Sequence, residues 1–107
     1  MDRSSPDLSI VVVNWNVREL LRRCLESIMG SDGLSVVGLD TLRYSTGGWR
    51  AEVIVVDNAS ADGSAAMLAQ DFPSVQLIAN ADNRGFTRAN NQGLALSRGR
   101  YVLFLNP

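Results

Sequence analysis

Four short polar segments carry most of the side chains in this sequence that can bind a ligand. Each follows a run of apolar residues, and asparagine, aspartate and one tryptophan are prominent in them. The segments are Asn14-Trp15-Asn16, Asp57-Asn58, residues 80–85 (NADNRG) and Asn106-Pro107. The chain has no histidine and a single cysteine, which excludes Ser-His-Asp and Cys-His catalysis and histidine metal sites within it. Any chemistry of this chain therefore depends on carboxylates, amides, arginines and backbone groups.

Trp15 and Asp57 each have two interpretations. The ring of Trp15 can stack on a nucleobase, or it can join the first strand to the following helix. The carboxylate of Asp57 can accept the imide N–H of uracil or thymine or a ribose hydroxyl, or it can cap the turn into residues 59–64. Because Trp15 is predicted at the same sheet edge, ligand binding is the favoured role for Asp57.

Arg84, before the third helix, and Asn90 and Asn91, within it, are further candidate residues. Arg84 lies where a positive side chain and the helix dipole together suit a diphosphate, and its alternative is a solvated residue or an ion pair with Asp82. Asn90 and Asn91 are unusual inside a helix, because asparagine is a poor helix former. One of these two is expected to face the sheet and to tie the helix to the turns after the first two strands.

Strands and helices alternate in the predicted order. Apolar runs rich in β-branched residues predict strands at residues 8–13, 53–56, 75–79 and 101–105. Apolar periodicity and flanking stop signals predict helices over residues 17–29, from about 60–63 to 71, and over 87–97.

The first helix and the segment after it give two further predictions. Asn16 is expected to cap the helix, with Glu19 completing a capping box, and Gly30 is expected to end it. Residues 31–50 contain four glycines and no sustained period. They are predicted to form a long, mobile loop with a short strand or turn near residues 34–39.

The pattern βαβαβαβ indicates one α/β domain of 107 residues. We expect three layers, with parallel strands in the order 3-2-1-4 and helices on both faces of the sheet. In such sheets, ligands bind beyond the carboxyl ends of the strands, where the strand order reverses. Here that point lies between the first and fourth strands, so all four polar segments are expected at one edge.

Charge and hydropathy limit the partners of the chain. The formal net charge of −1 gives no field that would draw the protein to nucleic acid. No apolar run approaches the roughly 20 residues that span a bilayer, and the N-terminal segment lacks the apolar stretch of a signal peptide. We therefore expect a cytoplasmic protein, either free or at the inner face of the membrane, without a nucleic-acid partner.

Five blocks of this sequence together resemble family-2 glycosyltransferases of the GT-A fold. In chain order they are SIVVVNWN, VIVVDNASADGS, NADNRGF, RANNQG and RYVLFLNP. The blocks are most similar to the rhamnosyltransferase-like branch, in which the last block continues as LLNPD. Residues 31–50 lie outside the resemblance and are longer than the usual connection in the family.

The resemblance implies inverting transfer of a sugar from a nucleoside diphosphate donor, UDP- or dTDP-linked, to a glycan or lipid-linked acceptor. It also implies a divalent metal, Mg²⁺ or Mn²⁺. By position, the backbone of Val13 would contact the base, Trp15 would stack near it and Asp57 would bind its imide. Arg84 would lie near the base or the diphosphate, and Asn91 matches the asparagine of the family's helix block.

Asn106 stands at the first position of the family's D-x-D metal motif, in its N-P-D form. In the family, the next carboxylate, the acceptor half and the general base all come later in the chain. We therefore expect these 107 residues to be the nucleotide-binding part of a larger transferase, without activity or bound metal of their own. Residues 101–105 would then form an unpaired apolar strand edge, through which the chain is expected to self-associate.

Two other classes of protein are alternatives. A dinucleotide-binding oxidoreductase would require G-x-G-x-x-G after the first strand, where this chain has Asn14-Trp15-Asn16-Val17. A non-catalytic nucleotide-binding or interaction module requires no further motif and stays open. A coding sequence that continues past Pro107 with an aspartate would favour the transferase, and a stop codon would favour the module.

Overall fold

The computed structural model describes residues 5–38 and 48–107. Helices and strands alternate along the chain, with one additional short strand. In order, the elements are β1 (Leu8–Asn14), α1 (Arg18–Met29), β2 (Leu34–Val36), β3 (Trp49–Asp57), α2 (Ser64–Asp71), β4 (Gln76–Ala79), α3 (Phe86–Leu96) and β5 (Tyr101–Leu105). None of the described helices is both long and apolar enough to cross a bilayer.

The five strands among the described residues form one sheet in which all pairs are parallel. β1 lies between β3 and β5. On the other side of β3, β2 pairs with its first residues and β4 pairs with its last residues. The predicted order 3-2-1-4 corresponds to β4-β3-β1-β5 and is confirmed.

The segment predicted as a long loop contributes more to the sheet than expected. β2 occupies the region where a short strand or turn was predicted, and β3 begins at Trp49, well before the predicted start at residue 53. Charged residues at positions 50 and 52 interrupt the apolar run, which is why the pattern indicated a shorter strand. Residues 39–47 of the predicted loop lie outside the described residues.

The predicted helix layers on both faces of the sheet are confirmed. α1 and α2 bury their apolar residues against one face, and α3 packs against the other. The first core contains Ile10, Val12, Leu21, Leu25, Ile28, Ala51, Val53, Val55, Met67, Leu68 and Phe72, and the second contains Ile54, Val56 and Ala89. Gly93 allows α3 to approach the sheet closely, because a Cβ atom there would clash with the side chain of Val11.

The predicted capping box of α1 is wrong. α1 begins at Arg18, and no side chain from its own segment caps it. Asn16 has a positive φ of 54°, and its Oδ1 accepts the backbone N–H of Ala61 at 2.7 Å instead of a helix N–H. Asp62 Oδ2 accepts the backbone N–H of Arg18 at 2.9 Å. The helix is therefore capped by a residue 44 positions later, and Glu19 takes no part in the cap. Gly30 follows the last residue of α1, as predicted.

A fully buried glutamate joins several elements near the amino ends of the strands. Glu52 accepts hydrogen bonds from Ser9 Oγ at 2.6 Å, from Gln76 Nε2 at 2.7 Å and from the backbone N–H of Arg98 at 2.6 Å. Burial alone would raise the pKa of Glu52, but these hydrogen bonds and the charge of Arg98 outweigh it and lower that pKa below its usual value. The cluster ties β1, β3 and β4 to the connection before β5.

Candidate functional site

The turns after β1 and β3 are joined by a hydrogen-bond cluster centred on Ser60. Its hydroxyl donates to Asp57 Oδ1 at 2.6 Å and accepts the backbone N–H of Asn16 at 2.9 Å. Asn14 Nδ2 donates to Asp57 Oδ1 at 2.8 Å and to Ser60 Oγ at 3.2 Å. Because β1 and β3 pair in register at Asn14 and Asp57, the two turns meet at the carboxyl edge of the sheet. We refer to Asn14, Asn16, Asp57 and Ser60 as the turn cluster.

The carboxylate of Asp57 is occupied within the turn cluster. Its side chain is buried, with 3% of its surface exposed, and the backbone N–H of Ser60 donates to its Oδ2 at 3.0 Å. These bonds match the turn-capping interpretation. A base imide would have to approach the lone pairs of the carboxylate that the turn does not use. The geometry therefore favours Asp57 as a residue that positions its neighbours.

The turn cluster holds the chain on both sides of Trp15. Asn14 is anchored to Asp57, and Asn16 is anchored to Ser60 and Ala61. Trp15 itself is 55% exposed, so its ring does not serve as a buried link between β1 and α1. An exposed aromatic ring on a fixed backbone is a suitable platform for a nucleobase. Val13, which precedes this turn, is half-buried and paired with Val56 of β3.

A second cluster of amides fixes residues 80–85 to β3 and α3. Asn80 Nδ2 donates to Asn58 Oδ1 at 3.0 Å and to Gln92 Oε1 at 2.8 Å, and Gln92 Nε2 donates back to Asn80 Oδ1 at 2.9 Å. Asn58 Nδ2 donates to the carbonyl oxygen of Gly85 at 3.2 Å. The prediction that Asn90 or Asn91 ties α3 to the turns after the first two strands is wrong, because neither side chain makes a hydrogen bond in the described structure. Gln92 instead joins α3 to Asn80, which follows β4. Its position six residues after the start of α3 gave no signal of this role in the sequence.

Arg84 lies on the segment that the amide cluster holds. Its backbone N–H is 3.4 Å from Asn58 Oδ1, and its Nε is 3.5 Å from Asp82 Oδ1. The guanidinium is about half exposed, and exposed ion pairs contribute little to stability. Arg84 can therefore leave Asp82 for a diphosphate at small energetic cost.

Asn91 and Asn106 lie apart from the turn cluster, in a groove on the α3 face of the sheet. The groove has a volume of about 380 Å³ and is also lined by Phe86, Thr87, Asn90 and Phe104. In the part of the chain that the structure describes, no three carboxylate, thiol or imidazole side chains come together as a metal site requires. Asn106 offers one amide oxygen, which is not sufficient to hold Mg²⁺ or Mn²⁺.

A comparison across protein families identifies the family of this chain. Residues 9–107 match the model of Glycosyl transferase family 2. The chain belongs to this family. The match covers the family as a whole, so the rhamnosyltransferase-like branch stays a prediction.

Relatives in glycosyl transferase family 2 include proteins named for polysaccharide biosynthesis. The chain is 34% identical to the succinoglycan biosynthesis protein ExoO of Rhizobium meliloti over 102 residues, which cover 94% of this chain and 25% of ExoO. It is 29% identical to the minor teichoic acid biosynthesis protein GgaB of Bacillus subtilis over 104 residues, which cover 94% of this chain and 10% of GgaB. The chain thus spans a quarter or less of the length of these relatives.

A solved structure confirms the predicted GT-A fold. The mannosyltransferase PcManGT of Pyrobaculum calidifontis, in complex with GDP-Man and Mn²⁺, superposes with a TM-score of 0.70 at 25% identity. The match covers 95% of this chain and 27% of PcManGT. The family-2 chain described here therefore corresponds to a part of a glycosyltransferase fold.

Proposed function

We propose that this chain is the donor-binding part of an inverting family-2 glycosyltransferase that uses a nucleoside diphosphate sugar. The observation that carries the proposal is the exposed ring of Trp15, on a backbone that the turn cluster holds at the carboxyl edge of a parallel sheet. Ligands bind at this edge in open α/β sheets. PcManGT, which has the same fold, is a mannosyltransferase solved with a nucleotide sugar and a divalent metal.

In this proposal each candidate residue acts on a different part of the donor. Trp15 stacks on the base, the backbone of Val13 contacts the base edge, and Asp57 holds the turn that presents Trp15. Arg84 exchanges its exposed ion pair with Asp82 for the diphosphate, where the charge of an arginine and the N-terminus of α3 act together. Asn91 is assigned to the donor through its place in the family's helix block.

The remaining parts of the reaction are assigned to regions that lie outside these 107 residues. A bound Mg²⁺ or Mn²⁺ would neutralise the charge of the departing diphosphate, and Asn106 is the contribution of this chain to that region. The acceptor, a glycan or a lipid-linked saccharide, would bind to the longer part of the enzyme. The biosynthetic roles named for ExoO and GgaB support a role in polysaccharide synthesis. We place this role in the cytoplasm or at the inner face of the membrane as a part of the proposal. We expect the 107-residue chain alone to have no transferase activity.

Titration of nucleoside diphosphates into the chain tests the proposal. UDP, dTDP and GDP are added in calorimetry, and the same titrations are repeated with Trp15→Ala and Trp49→Ala. Loss of one base–aromatic stack costs about 1–3 kcal/mol, so Trp15→Ala should raise the dissociation constant of the preferred nucleotide about five-fold or more.

Trp49→Ala is the matched control. Trp49 is 49% exposed, similar to Trp15. It begins β3, so it lies at the amino ends of the strands, opposite the carboxyl edge where Trp15 lies. Its replacement should leave nucleotide affinity unchanged. Equal affinities of the wild type and Trp15→Ala, or equal losses in the two variants, would contradict the proposed site.

A further inference from the structure

The connection from β4 to α3 carries Arg84 on a segment that is exposed to solvent. Residues 81–88 are all exposed, and Arg84 lies near the middle of them. The amide cluster that holds this segment consists of Asn58, Asn80 and Gln92. Asn58 and Asn80 expose 2% and 9% of their surface, and Gln92 is half-buried. Surface connections are ordinarily the most mobile parts of a fold, so anchoring by shielded side chains is a feature that requires a reason.

Gln92 closes the exposed segment at its base. The side chains of Asn80 and Gln92 exchange two hydrogen bonds, of 2.8 and 2.9 Å, across 12 positions of the chain. Asn80 Nδ2 also donates to Asn58 Oδ1 at 3.0 Å. Asn58 then contacts the segment itself, through the carbonyl oxygen of Gly85 at 3.2 Å and the backbone nitrogen of Arg84 at 3.4 Å. A chain of hydrogen bonds thus runs from α3 to the backbone of Arg84.

The amide cluster fixes the backbone of Arg84 without neutralising the arginine. Its three side chains carry no charge, and the ion pair of Arg84 with Asp82 is exposed and 3.5 Å long. Carboxylates in the same positions would also hold the segment, but they would repel a diphosphate. Apolar side chains would fill the same space, but they would not direct the backbone as a satisfied polar network does. Amides therefore suit a segment whose arginine must stay available to an anion.

We propose that Gln92 is a positioning residue for the diphosphate of the donor, acting through Asn80 and Asn58 on Arg84. The proposal rests on the proposed function, because it requires a donor whose diphosphate binds at Arg84. A side chain on a fixed backbone loses less conformational freedom on binding than one on a free segment. Gln92 thereby increases the affinity for the diphosphate without a contact of its own to the donor.

NMR titrations of the 107-residue chain with a nucleoside diphosphate and with the corresponding nucleoside test this role. Gln92→Met keeps the length of the side chain and removes both hydrogen bonds to Asn80. It should raise the dissociation constant of the diphosphate about three- to ten-fold and leave that of the nucleoside unchanged. Gln92→Asn keeps the amide but shortens its reach, and it should show the same selective loss. The matched control is Gln70→Met, an exposed position of α2 on the opposite face of the sheet, which should bind both ligands like the wild type.

A double-mutant cycle tests whether Gln92 acts through Arg84. In an Arg84→Ala background, Gln92→Met should cause no further loss of diphosphate affinity, because the residue that it positions is missing. An equal loss in both backgrounds, a loss shared by the nucleoside, or unchanged diphosphate affinity in folded Gln92→Met and Gln92→Asn would overturn the proposal.

Trp15→Ala separates this proposal from the proposed function. It should weaken the binding of the nucleoside and of its diphosphate alike, because the stacking ring contacts the base in both ligands. If Trp15→Ala has this effect and Gln92→Met has none, the role of Gln92 is overturned and the donor site stands. If neither ligand binds to the wild type, both proposals are overturned.

Discussion

Ser60 has an influence on the candidate site that its residue type does not suggest. Its hydroxyl contacts Asp57, Asn14 and the backbone of Asn16, so a single oxygen connects the turns after β1 and β3. The sequence identified Asp57 and Trp15 because an acidic and an aromatic residue after apolar runs are conspicuous. It gave no such signal for Ser60, since serine is common in turns that have no ligand.

Substitution of Asp57 separates a positioning role from direct base contact. Asp57→Ala in a nucleotide-binding assay should raise the dissociation constant of the donor by about ten-fold or more, because a hydrogen-bonded carboxylate is lost. If Asp57 acts through the turn, Ser60→Ala should reproduce much of this loss while the carboxylate is retained. Full affinity in Ser60→Ala together with weak binding in Asp57→Ala would instead indicate direct contact between Asp57 and the base.

At the scale of elements, the alternation of strand and helix was predictable, because buried parallel strands and amphipathic helices have distinct apolar patterns. β1 and β5 were placed within one residue of their observed bounds. The start of β3 and the cap of α1 were not predicted correctly. Both depend on partners far along the chain: Glu52 is buried with Ser9 and Arg98, and Arg18 is capped by Asp62. A local pattern contains no information about such partners.

The two possible caps of α1 predict different results for two variants. Asp62→Ala removes the acceptor of the Arg18 N–H, together with the two hydrogen bonds that Asp62 Oδ1 accepts from Ser64. It should lower the free energy of unfolding by about 1 kcal/mol or more, since loss of an N-cap alone costs about that much. Glu19→Ala should change stability little, because Glu19 makes only a 3.5 Å exposed ion pair with Arg18. Chemical denaturation of the two variants measures both effects. A larger loss of stability in Glu19→Ala than in Asp62→Ala would instead support the predicted capping box of Asn16 and Glu19.

At the scale of the molecule, Glu52 makes stability depend on pH. The pKa of Glu52 is lowered in the folded state. The ionised carboxylate therefore makes its full contribution to the free energy of unfolding at pH values above the pKa of an unfolded glutamate. That contribution is lost as the pH falls through the lower, folded-state pKa. Glu52→Gln should therefore be clearly less stable than the wild type at neutral pH, and the difference should shrink in acid. Denaturation midpoints across a pH series measure this, with the exposed Glu26→Gln as control. A difference that does not vary with pH would show that Glu52 is not ionised in the fold.

In the proposed function, this chain contributes only a part of the site. The proposed base-stacking residue and the turn cluster lie at the carboxyl ends of β1 and β3, and the diphosphate candidate Arg84 follows β4. The metal ligands and the acceptor surface are assigned to the remaining length of the relatives, of which this chain matches a quarter or less. In the proposed function, donor binding is therefore separable from transfer, and the binding experiments above do not require turnover.

The distant cap of α1 has a consequence for how the chain folds as it is made. Synthesis proceeds from the N-terminus, so the residues of α1 are joined to the chain well before Asp62 is added. A helix of 12 residues is at the lower limit of independent stability in water. The nascent α1 therefore stays frayed at Arg18 until β3 and the following turn have docked. Hydrogen exchange at the Arg18 amide should then report docking of the sheet rather than helix formation.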